Sequence, residues 1–496
     1  MKFSRKYLTA MVLAGLGFVV AAPVMAQAPR SLTLANALSI ASGSNPDYLS
    51  QRNQLTSAMW GVRSAYGNWM PSLSASGGLG YTATGERRLD SVVLGEQPAM
   101  YSSRYNLGMS MSVSGQTLLA PSVAKASERA VEEQVQSAGA MLEANVTQRY
   151  LSVLEARATA EQAQRELDRT GEHVRLATAR FEIGAGTQLD VSRAVVQRGQ
   201  AEVRLVQAEN SAANEVLLLS QLLGMLLPAD VELTEQFELF EPHWTVAQLR
   251  ERAMGENPDL QASRAQADAA ASRARAARST YLPTVSLSAG LTGYVSQAGN
   301  LDPLVQQALA SARSSFQNCL QQNEIRTAVN LTPGNCIDPS TPGFESSVRE
   351  AVSNNNRGFP FNYVQQPATA SLTVSLPIFT GFSRRQQVEE ANVARQNAQH
   401  QVRSRELQLE VEITSALRNL ETAYRTALLQ RQVRDTAREE LNLAEERFRF
   451  GSNTSIEVVD AQASLADAER AEIAAVYAFH RSLADLRTRT GGELPR

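Results

Sequence analysis

Four stretches of the chain alternate apolar and small polar residues with a period of two. They read PSLSASGGLGYT from Pro71, YNLGMSMSVS from Tyr105, PTVSLSAGLTG from Pro283 and ATASLTVSLPIF from Ala368. Strict alternation predicts strands with one apolar and one polar face. The polar faces carry Ser, Thr and Gly, which suits the wet interior of an outer-membrane strand of about 9–11 residues. Soluble sheets also alternate, so the pattern alone leaves both interpretations open.

The number of these stretches limits how they can enter a membrane. Closing a barrel takes about eight strands at least, and an open sheet edge in lipid leaves backbone groups without hydrogen-bond partners. If the four predicted strands lie in a membrane, several copies of the chain must therefore share one barrel.

Between the predicted strands the sequence indicates two very long helices, each followed by a shorter returning one. Residues 383–450 contain no Gly or Pro, and residues 122–183 contain only Gly139 and Gly171. At about 1.5 Å per residue each would reach roughly 90–100 Å. Apolar residues recur every three or four positions, which predicts helices packed side by side as in coiled coils. The returning helices are predicted over residues 189–223 and 456–490.

Both long helices end in similar turns, RFEIGAGTQLDV from Arg180 and RFRFGSNTSIEV from Arg447, which lie 267 residues apart. Gly184 and Gly451 follow the helical runs and indicate helix stops. Thr187 and Thr454 precede the next helices, where a hydroxyl group can cap the helix. Two NPD segments, at Asn45 and Asn257, also repeat and lead through Pro71 and Pro283 into strands.

These repeats predict an internal duplication. We assign residues 27–240 to a first structural repeat and residues 241–496 to a second, each running through a helix, two strands, a long helix and a returning helix. The second repeat carries an insert at about residues 296–366, which is rich in polar residues and is expected to be a long extracellular loop.

Residues 1–26 have the pattern of a secretory signal peptide: Lys2, Arg5 and Lys6 precede an apolar run and small residues up to Ala26. A membrane anchor is the alternative, but the run is short for a span of about 20 residues. No later segment is apolar enough for a transmembrane helix. Lys and Arg total 47 against 50 Asp and Glu, so no basic field for nucleic acid is indicated.

Little in the chain points to catalysis. The four histidines lie far apart, and the phosphate-binding, nucleophile-elbow and zinc-protease motifs do not occur. Cys319 and Cys336 are expected to form one disulfide in an exported protein. The alternative, a metal site, would be half complete at most. We therefore expect no enzyme activity, no cofactor and no metal.

The duplicated unit, both NPD junctions, SLPIFTGFSRR and the RFEIGAGTQLDV turn resemble the TolC family of outer-membrane efflux and type I secretion channels. The resemblance implies an α+β membrane protein of the cell outer membrane. Its fold would be a homotrimer with a twelve-stranded transmembrane β-barrel, four strands per chain, continued by a long periplasmic α-helical barrel. The implied function is a passive export duct, working with a periplasmic adaptor and an inner-membrane pump of ABC, RND or MFS type.

The resemblance also implies which residues surround the periplasmic mouth. Asp190, Glu457 and Asp460 match acidic gate positions, and Phe448 and Asn453 stand where the family has a tyrosine and an arginine. Since Phe448 cannot donate a hydrogen bond and Asn453 is neutral, the family's lock is incomplete here. The adaptor is expected to contact the turns at Phe181, Gly184, Thr187, Gly451 and Thr454.

Two other interpretations remain open from the sequence. The acidic residues could simply stabilise helix starts through the helix dipole. The whole chain could be a periplasmic coiled-coil adaptor or scaffold without a channel.

Overall fold

The computed structural model describes residues 31–496, except 229, 236, 451, 453, 493, 495 and 496. The predicted signal peptide therefore lies outside the described residues. The chain divides into two compact units. A helical unit comprises residues 31–54, 132–262 and 403–496, and a sheet unit comprises residues 55–131 and 263–402. Among the described residues, no helix has both the length and the apolar character required to cross a membrane.

Helices make up most of the chain. They are α1 (Leu34–Ser44), α2 (Pro46–Gly67), α3 (Gly115–Glu182), α4 (Gln188–Leu223), α5 (Val246–Glu256), α6 (Pro258–Arg278), α7 (Asp302–Ala328), α8 (Phe344–Asn355), α9 (Ser383–Arg449) and α10 (Ser455–Thr490). The two long helices α3 and α9 contain 68 and 67 residues, and the returning helices α4 and α10 contain 36 each.

The strands fall into one larger sheet and two small pairs. They are β1 (Ser31–Leu32), β2 (Ser72–Thr82), β3 (Gly85–Leu89), β4 (Val92–Gln97), β5 (Met100–Val113), β6 (Glu232–Leu233), β7 (Thr284–Ala298), β8 (Val364–Gln365) and β9 (Thr369–Ser375). In the larger sheet β2 pairs with β5, β5 with β7, and β7 with both β8 and β9, all antiparallel. The pairs β1–β6 and β3–β4 stand apart from it.

The register of the larger sheet separates the two kinds of side chain. One row across the four long strands consists of Ser72, Ser110, Ser288 and Ser371. Their hydroxyl groups lie 2.8 Å apart for the β2–β5 pair and 2.7 Å apart for the β7–β9 pair. Since successive residues of a strand point to opposite faces, the apolar residues of these strands share the other face.

The helical unit is held by a core in which α1, α3 and α4 meet. Its buried residues include Leu32, Tyr150, Leu219 and Leu223. The Tyr150 hydroxyl donates a hydrogen bond to the backbone carbonyl of Leu32 at 2.8 Å, which satisfies the one polar atom of this large buried side chain. Burial raises the pKa of Tyr150.

Each NPD segment forms a junction between helices. The Asn45 side chain accepts a hydrogen bond from the Tyr48 N–H at 2.8 Å, capping α2, and donates to the Leu222 carbonyl at the end of α4. Asn257 does the same for α6 and α10, accepting from Leu260 and donating to Arg489. One amide thus satisfies unpaired groups at a helix start and at a helix end. The proline that follows needs no N–H in the first turn.

Two glycines close the returning helices against these junctions. Gly224 and Gly491, also 267 residues apart, adopt φ of 73° and 88° at the C-caps of α4 and α10. A Cβ at Gly224 would lie 2.3 Å from the Ser44 carbonyl oxygen, and one at Gly491 would lie 2.6 Å from that of Glu256. Both positions therefore require glycine for conformation and for space.

The structure differs from the sequence expectations in three places. Helix α3 begins at Gly115, before Pro121, because the Ser114 hydroxyl accepts the Thr117 N–H and caps an earlier start. The insert, expected to be a loop, contains α7 and α8, which pack together. The hairpin β3–β4 was not predicted, since its residues do not alternate.

Candidate functional site

The sheet unit presents a broad apolar surface. Leu73, Leu79, Leu372 and Val374 all lie on the apolar face, and each is largely exposed. Exposed contiguous apolar surface of this kind marks contact with lipid or with another protein. The other face carries the serine row, so the sheet has the two-sided character of an outer-membrane strand set.

Aromatic side chains cluster near both ends of β2. Tyr66 and Trp69 contact each other edge to face just before the strand, and the Trp69 indole donates to the Thr117 carbonyl at 2.8 Å. At the far end Tyr81 contacts Tyr101, which also contacts Phe359. Aromatic girdles at both interfaces are typical of strands that cross an outer membrane.

The long strands at the two sides of the sheet lack a second neighbour. Within the described residues, no strand pairs with the outer edge of β2 or of β9. Their free N–H and C=O groups form two edges that can pair with other chains.

The turn after α3 is fixed by a capping box. The Thr187 hydroxyl accepts the Asp190 N–H, and the Asp190 carboxylate accepts the Thr187 N–H at 3.0 Å and its hydroxyl at 2.6 Å. The hydrogen bond from the Thr187 hydroxyl lowers the pKa of Asp190. The carboxylate is thus occupied by its own helix start, as in the helix-start interpretation of the acidic residues. Gly184 adopts a φ of 74° in this turn.

Phe448 lies in the core of the helical unit. It is 4% exposed, whereas its sequence equivalent Phe181 is 41% exposed. The Arg180 guanidinium lies 4.4 Å from the centre of the Phe448 ring and donates hydrogen bonds to the Phe448 and Ala185 carbonyl groups. Arg180 therefore joins the end of α9 to the first turn. His173 packs on the same ring at 5.6 Å, and burial lowers the pKa of His173 although the charge of Asp190 opposes the shift.

Glu457 and Asp460 are exposed on the first turns of α10. They line a surface groove of about 500 Å³ together with Glu439, Glu440 and Arg447. The structure thus brings these two predicted gate residues together in one groove. Gly451 and Asn453 lie outside the described residues. Thr454 is the N-cap residue of α10.

A second groove of about 530 Å³ lies where α4 and α10 begin. Its lining residues include Leu189, Val196, Ile456 and Val459. These apolar side chains lie close in sequence to both turns that were predicted to contact the adaptor. The first of these turns contains Phe181 and Thr187.

The remaining sequence predictions concern a disulfide and a metal site. Cys319 and Cys336 are joined by a disulfide between α7 and the segment that follows it. Among the described residues, no group of three or more His, Cys, Asp or Glu side chains is arranged to hold a metal ion.

Comparison with known proteins decides the family. The model of the outer membrane efflux protein family matches residues 37–225 and 340–492, well over half of the chain. The chain belongs to the outer membrane efflux protein family. The resemblance to TolC channels seen in the sequence is confirmed. No curated protein gives a significant sequence match.

Solved structures show the same fold. A membrane protein from Pseudomonas aeruginosa is similar with a TM-score of 0.67 and 20% identity, covering 92% of this chain and 93% of that one. The outer membrane protein VceC from Vibrio cholerae has a TM-score of 0.65 and 18% identity, with coverages of 92% and 96%. The MtrE outer membrane channel from Neisseria gonorrhoeae, in its open state, is similar with a TM-score of 0.66 and 17% identity. The match covers 92% of this chain and 89% of that one.

As a member of this family, the protein is an outer-membrane channel component for efflux, located in the outer membrane and extending into the periplasm. Its family is one of transport ducts. This decides against the periplasmic scaffold that the sequence left open.

Sequence reasoning missed the residues that join the two helical hairpins, α3–α4 and α9–α10. Arg180, His173, Arg169 and Glu469 were given no role, although Arg180 begins the first of the two repeated turns. The repeat spacing pairs Arg180 with Arg447, but only the structure shows what each of them contacts.

Proposed function

We propose that three copies of this chain form one pore and that the pore is a passive export duct. Each copy would supply β2, β5, β7 and β9 to a twelve-stranded barrel and its long helices to a periplasmic tube. The supporting observation is the sheet with two unpaired edges and one exposed apolar face. Such a sheet is stable in lipid only when other chains pair with both edges. The twelve strands of three chains exceed the number in the smallest closed barrel, which is about eight.

In this assembly the apolar face contacts lipid and the serine row lines the pore. The insert at about residues 296–366, with its disulfide between Cys319 and Cys336, would lie at the extracellular end. The two halves of the chain, residues 27–240 and 241–496, would act as structural repeats, each contributing two strands and one helical hairpin. Residues 1–26 would direct export.

At the periplasmic end we infer that Glu457 and Asp460 face the pore, because both are exposed beside Arg447. Six such carboxylates in a trimer would favour cations at the entrance. Asp190 and Phe448 would support the gate indirectly, since one caps a helix and the other is buried. Asn453 would stand at the periplasmic mouth, where the TolC family has an arginine.

The adaptor would bind at the two turns, through Phe181, Gly184, Thr187, Gly451 and Thr454. The apolar groove of Leu189, Val196, Ile456 and Val459 supports this placement. An inner-membrane pump of ABC, RND or MFS type would drive transport through the adaptor, and type I secretion remains within the same proposal.

The experiment compares two neighbouring residues of β9. Leu372→Lys places a charge on the apolar face and is expected to cost about 2–4 kcal/mol near the middle of the bilayer. Thr373→Lys places the same charge on the polar face. We expect the first variant to be lost from outer-membrane fractions. The second should insert, and single-channel recording should show increased anion preference.

Equal behaviour of the two variants would contradict the assignment of the faces. A wild-type protein that is monomeric, or that leaves the envelope with the periplasmic proteins after osmotic shock, would contradict the pore itself.

A further inference from the structure

The ends of β5 and β7 that lie next to the insert are covered on one face of the sheet. Val295 of β7 is 5% exposed and Ser103 of β5 is 2% exposed, while their neighbours along each strand are exposed. In the register Leu79 stands opposite Ser103, and Ser103 stands opposite Val295. Since residues opposite each other point to the same side, the buried residues lie on the apolar face, to which Leu79 belongs.

The cover is supplied by residues 356–363 of the insert, which we call the strap. Gly358 lies directly against Val295, because a Cβ atom at Gly358 would come within 2.6 Å of a Val295 methyl carbon. The Tyr363 hydroxyl lies 2.9 Å from the Ser103 hydroxyl, within hydrogen-bonding distance. The strap therefore packs on the apolar face of the sheet.

Ser103 is a polar exception on this face of β5. The residues on the same face are Tyr101, Tyr105 and Leu107, which are aromatic or apolar. A hydroxyl group that faces lipid without a hydrogen-bond partner is costly, and Tyr363 provides that partner here. The break in the alternating pattern thus marks the place where the strap covers the strand.

Both ends of the strap are fixed to the sheet. At its start, the Asn356 side chain accepts a hydrogen bond from the Ala298 N–H at 2.7 Å and donates one to the Ala298 carbonyl at 2.8 Å. At its end, the Tyr363 ring contacts the Tyr105 ring edge to face, with centroids 4.9 Å apart. The chain then enters β8, which pairs with β7. The insert is therefore held to the sheet through its apolar face.

The polar face at the same end of the sheet is open. Thr292, Tyr294 and Ser296 alternate with the covered residues of β7, and all three are exposed. An insert that folded back into the pore would cover these side chains first, because it begins only a few residues later. The described part of the insert therefore leaves the polar face accessible.

The covered end of the sheet also has the chemistry of a membrane interface. Tyr81, Tyr101 and Phe359 form a series of ring contacts there, and Leu79 on the same face is largely exposed. The strap itself exposes a large apolar side chain, Phe361, to 78%. Aromatic side chains are enriched where the hydrocarbon of a membrane meets water, so lipid is the partner that suits this surface.

We propose that the strap fastens the insert to the lipid-facing wall of the barrel, leaves the pore open at its extracellular end and contacts the outer leaflet through Phe361. The proposal rests on the pore proposed above, in which the apolar face meets lipid. It adds the side of the wall on which the insert is held and the partner that the insert contacts.

The test compares two exposed positions at this end of the sheet, Phe361 on the strap and Tyr294 on the polar face. The natural cysteines are joined to each other, so Phe361→Cys and Tyr294→Cys each add one reactive thiol. Each full-length variant is labelled with bimane and reconstituted into vesicles that contain a nitroxide-labelled phospholipid. We expect the lipid nitroxide to quench the label at position 361, and iodide in the water to quench the label at position 294.

Single-channel recording of the same two variants gives a second measurement. A negatively charged methanethiosulfonate reagent should change the current through Tyr294→Cys and leave the current through Phe361→Cys unaltered. A current change in Phe361→Cys would place the strap at the pore and overturn the proposal. Iodide quenching at both positions would show that the strap faces water or a soluble partner, and the lipid contact would be wrong.

Failure of the pore itself gives a different result. If the wild type carried no current in these membranes, the proposed pore would fall, and the lipid quenching at position 361 would decide alone whether the strap faces lipid. If the wild type conducts and only the quenching pattern fails, the pore stands and the position of the strap is wrong.

Discussion

The two turns at the ends of α3 and α9 share a sequence pattern but have different surroundings. In the first turn, Arg180 is partly buried and its guanidinium lies on Phe448. In the second turn, Arg447 is exposed and lines a groove with Glu457 and Asp460. The two arginines are equivalent along the chain, so their difference comes from what each faces. One stabilises the contact between hairpins of a single chain, and the other is available to a different molecule.

The same contrast appears in the phenylalanines. Phe448 is part of a core with Leu441, Val458 and Leu465, while Phe181 is 41% exposed. A duplicated chain with one copy of each hairpin can cover only one of two equivalent surfaces. The difference between the turns is therefore a consequence of having two hairpins in a chain and does not require different local sequences.

The largest effect is expected when Phe448 is truncated. Phe448→Ala removes the ring on which Arg180 and His173 pack, and truncation of a buried phenylalanine costs roughly 3–5 kcal/mol. Urea unfolding of the protein in detergent, followed by circular dichroism, measures the change. Phe450→Ala in the same turn is the control, because Phe450 is exposed. Equal losses in the two variants would mean that the ring at 448 does not support the turn.

A smaller effect is expected when the largely buried ion pair between Arg169 and Glu469 is removed. The Glu469 carboxylate is nearly buried and accepts hydrogen bonds from Arg169 and Gln162. Burial by itself would raise the pKa of Glu469, but the hydrogen bond and charge of Arg169, with Gln162, outweigh it, and the pKa is lowered. Glu469→Gln leaves Arg169 without its partner and should destabilise the fold by roughly 1–3 kcal/mol.

Asp467→Asn is the matched control, since it removes the exposed ion pair with Arg470, and exposed pairs contribute about 0–1 kcal/mol. The same urea titration serves for both variants. A loss for Asp467→Asn as large as that for Glu469→Gln would remove the distinction between buried and exposed pairs in this hairpin.

The smallest effect concerns the capping box of the first turn and its dependence on pH. The pKa of Asp190 is lowered by the Thr187 hydroxyl, so the folded state binds the proton less readily than the unfolded chain does. The stabilisation is present above the ordinary pKa of aspartate and is lost as the pH falls through the lowered pKa. Hydrogen exchange at the Thr187 and Asp190 amides should therefore accelerate, relative to its intrinsic rate, on acidification below about pH 4.

Thr187→Ala should show the faster exchange already at neutral pH, with a loss of about 1 kcal/mol, while Thr187→Ser should retain the wild-type behaviour. If acidification left the protection of these amides unchanged, the carboxylate would not be holding the turn.

Local sequence patterns predicted the regular elements well. The four alternating stretches overlap β2, β5, β7 and β9, because the period of two reflects side chains on opposite faces of a strand. The long helices were predicted because breakers are missing over dozens of residues, and the Thr187 cap of α4 was predicted because its role is local. The insert was harder to predict because its polar composition suggested a loop. Helix α7 is only weakly amphipathic, and α8 is short, with 12 residues.

The sequence by itself determined which segments become strands and helices, where they turn, and that the chain contains one unit twice. These properties depend on neighbours within a few residues. Only the tertiary structure decided that Phe448 is buried and Phe181 exposed, that Glu469 pairs with Arg169, and that β2 and β9 end the sheet. Those outcomes depend on contacts between residues up to hundreds of positions apart. Two similar local patterns cannot distinguish these outcomes, because the burial of a side chain depends on which surface the folded chain packs against it.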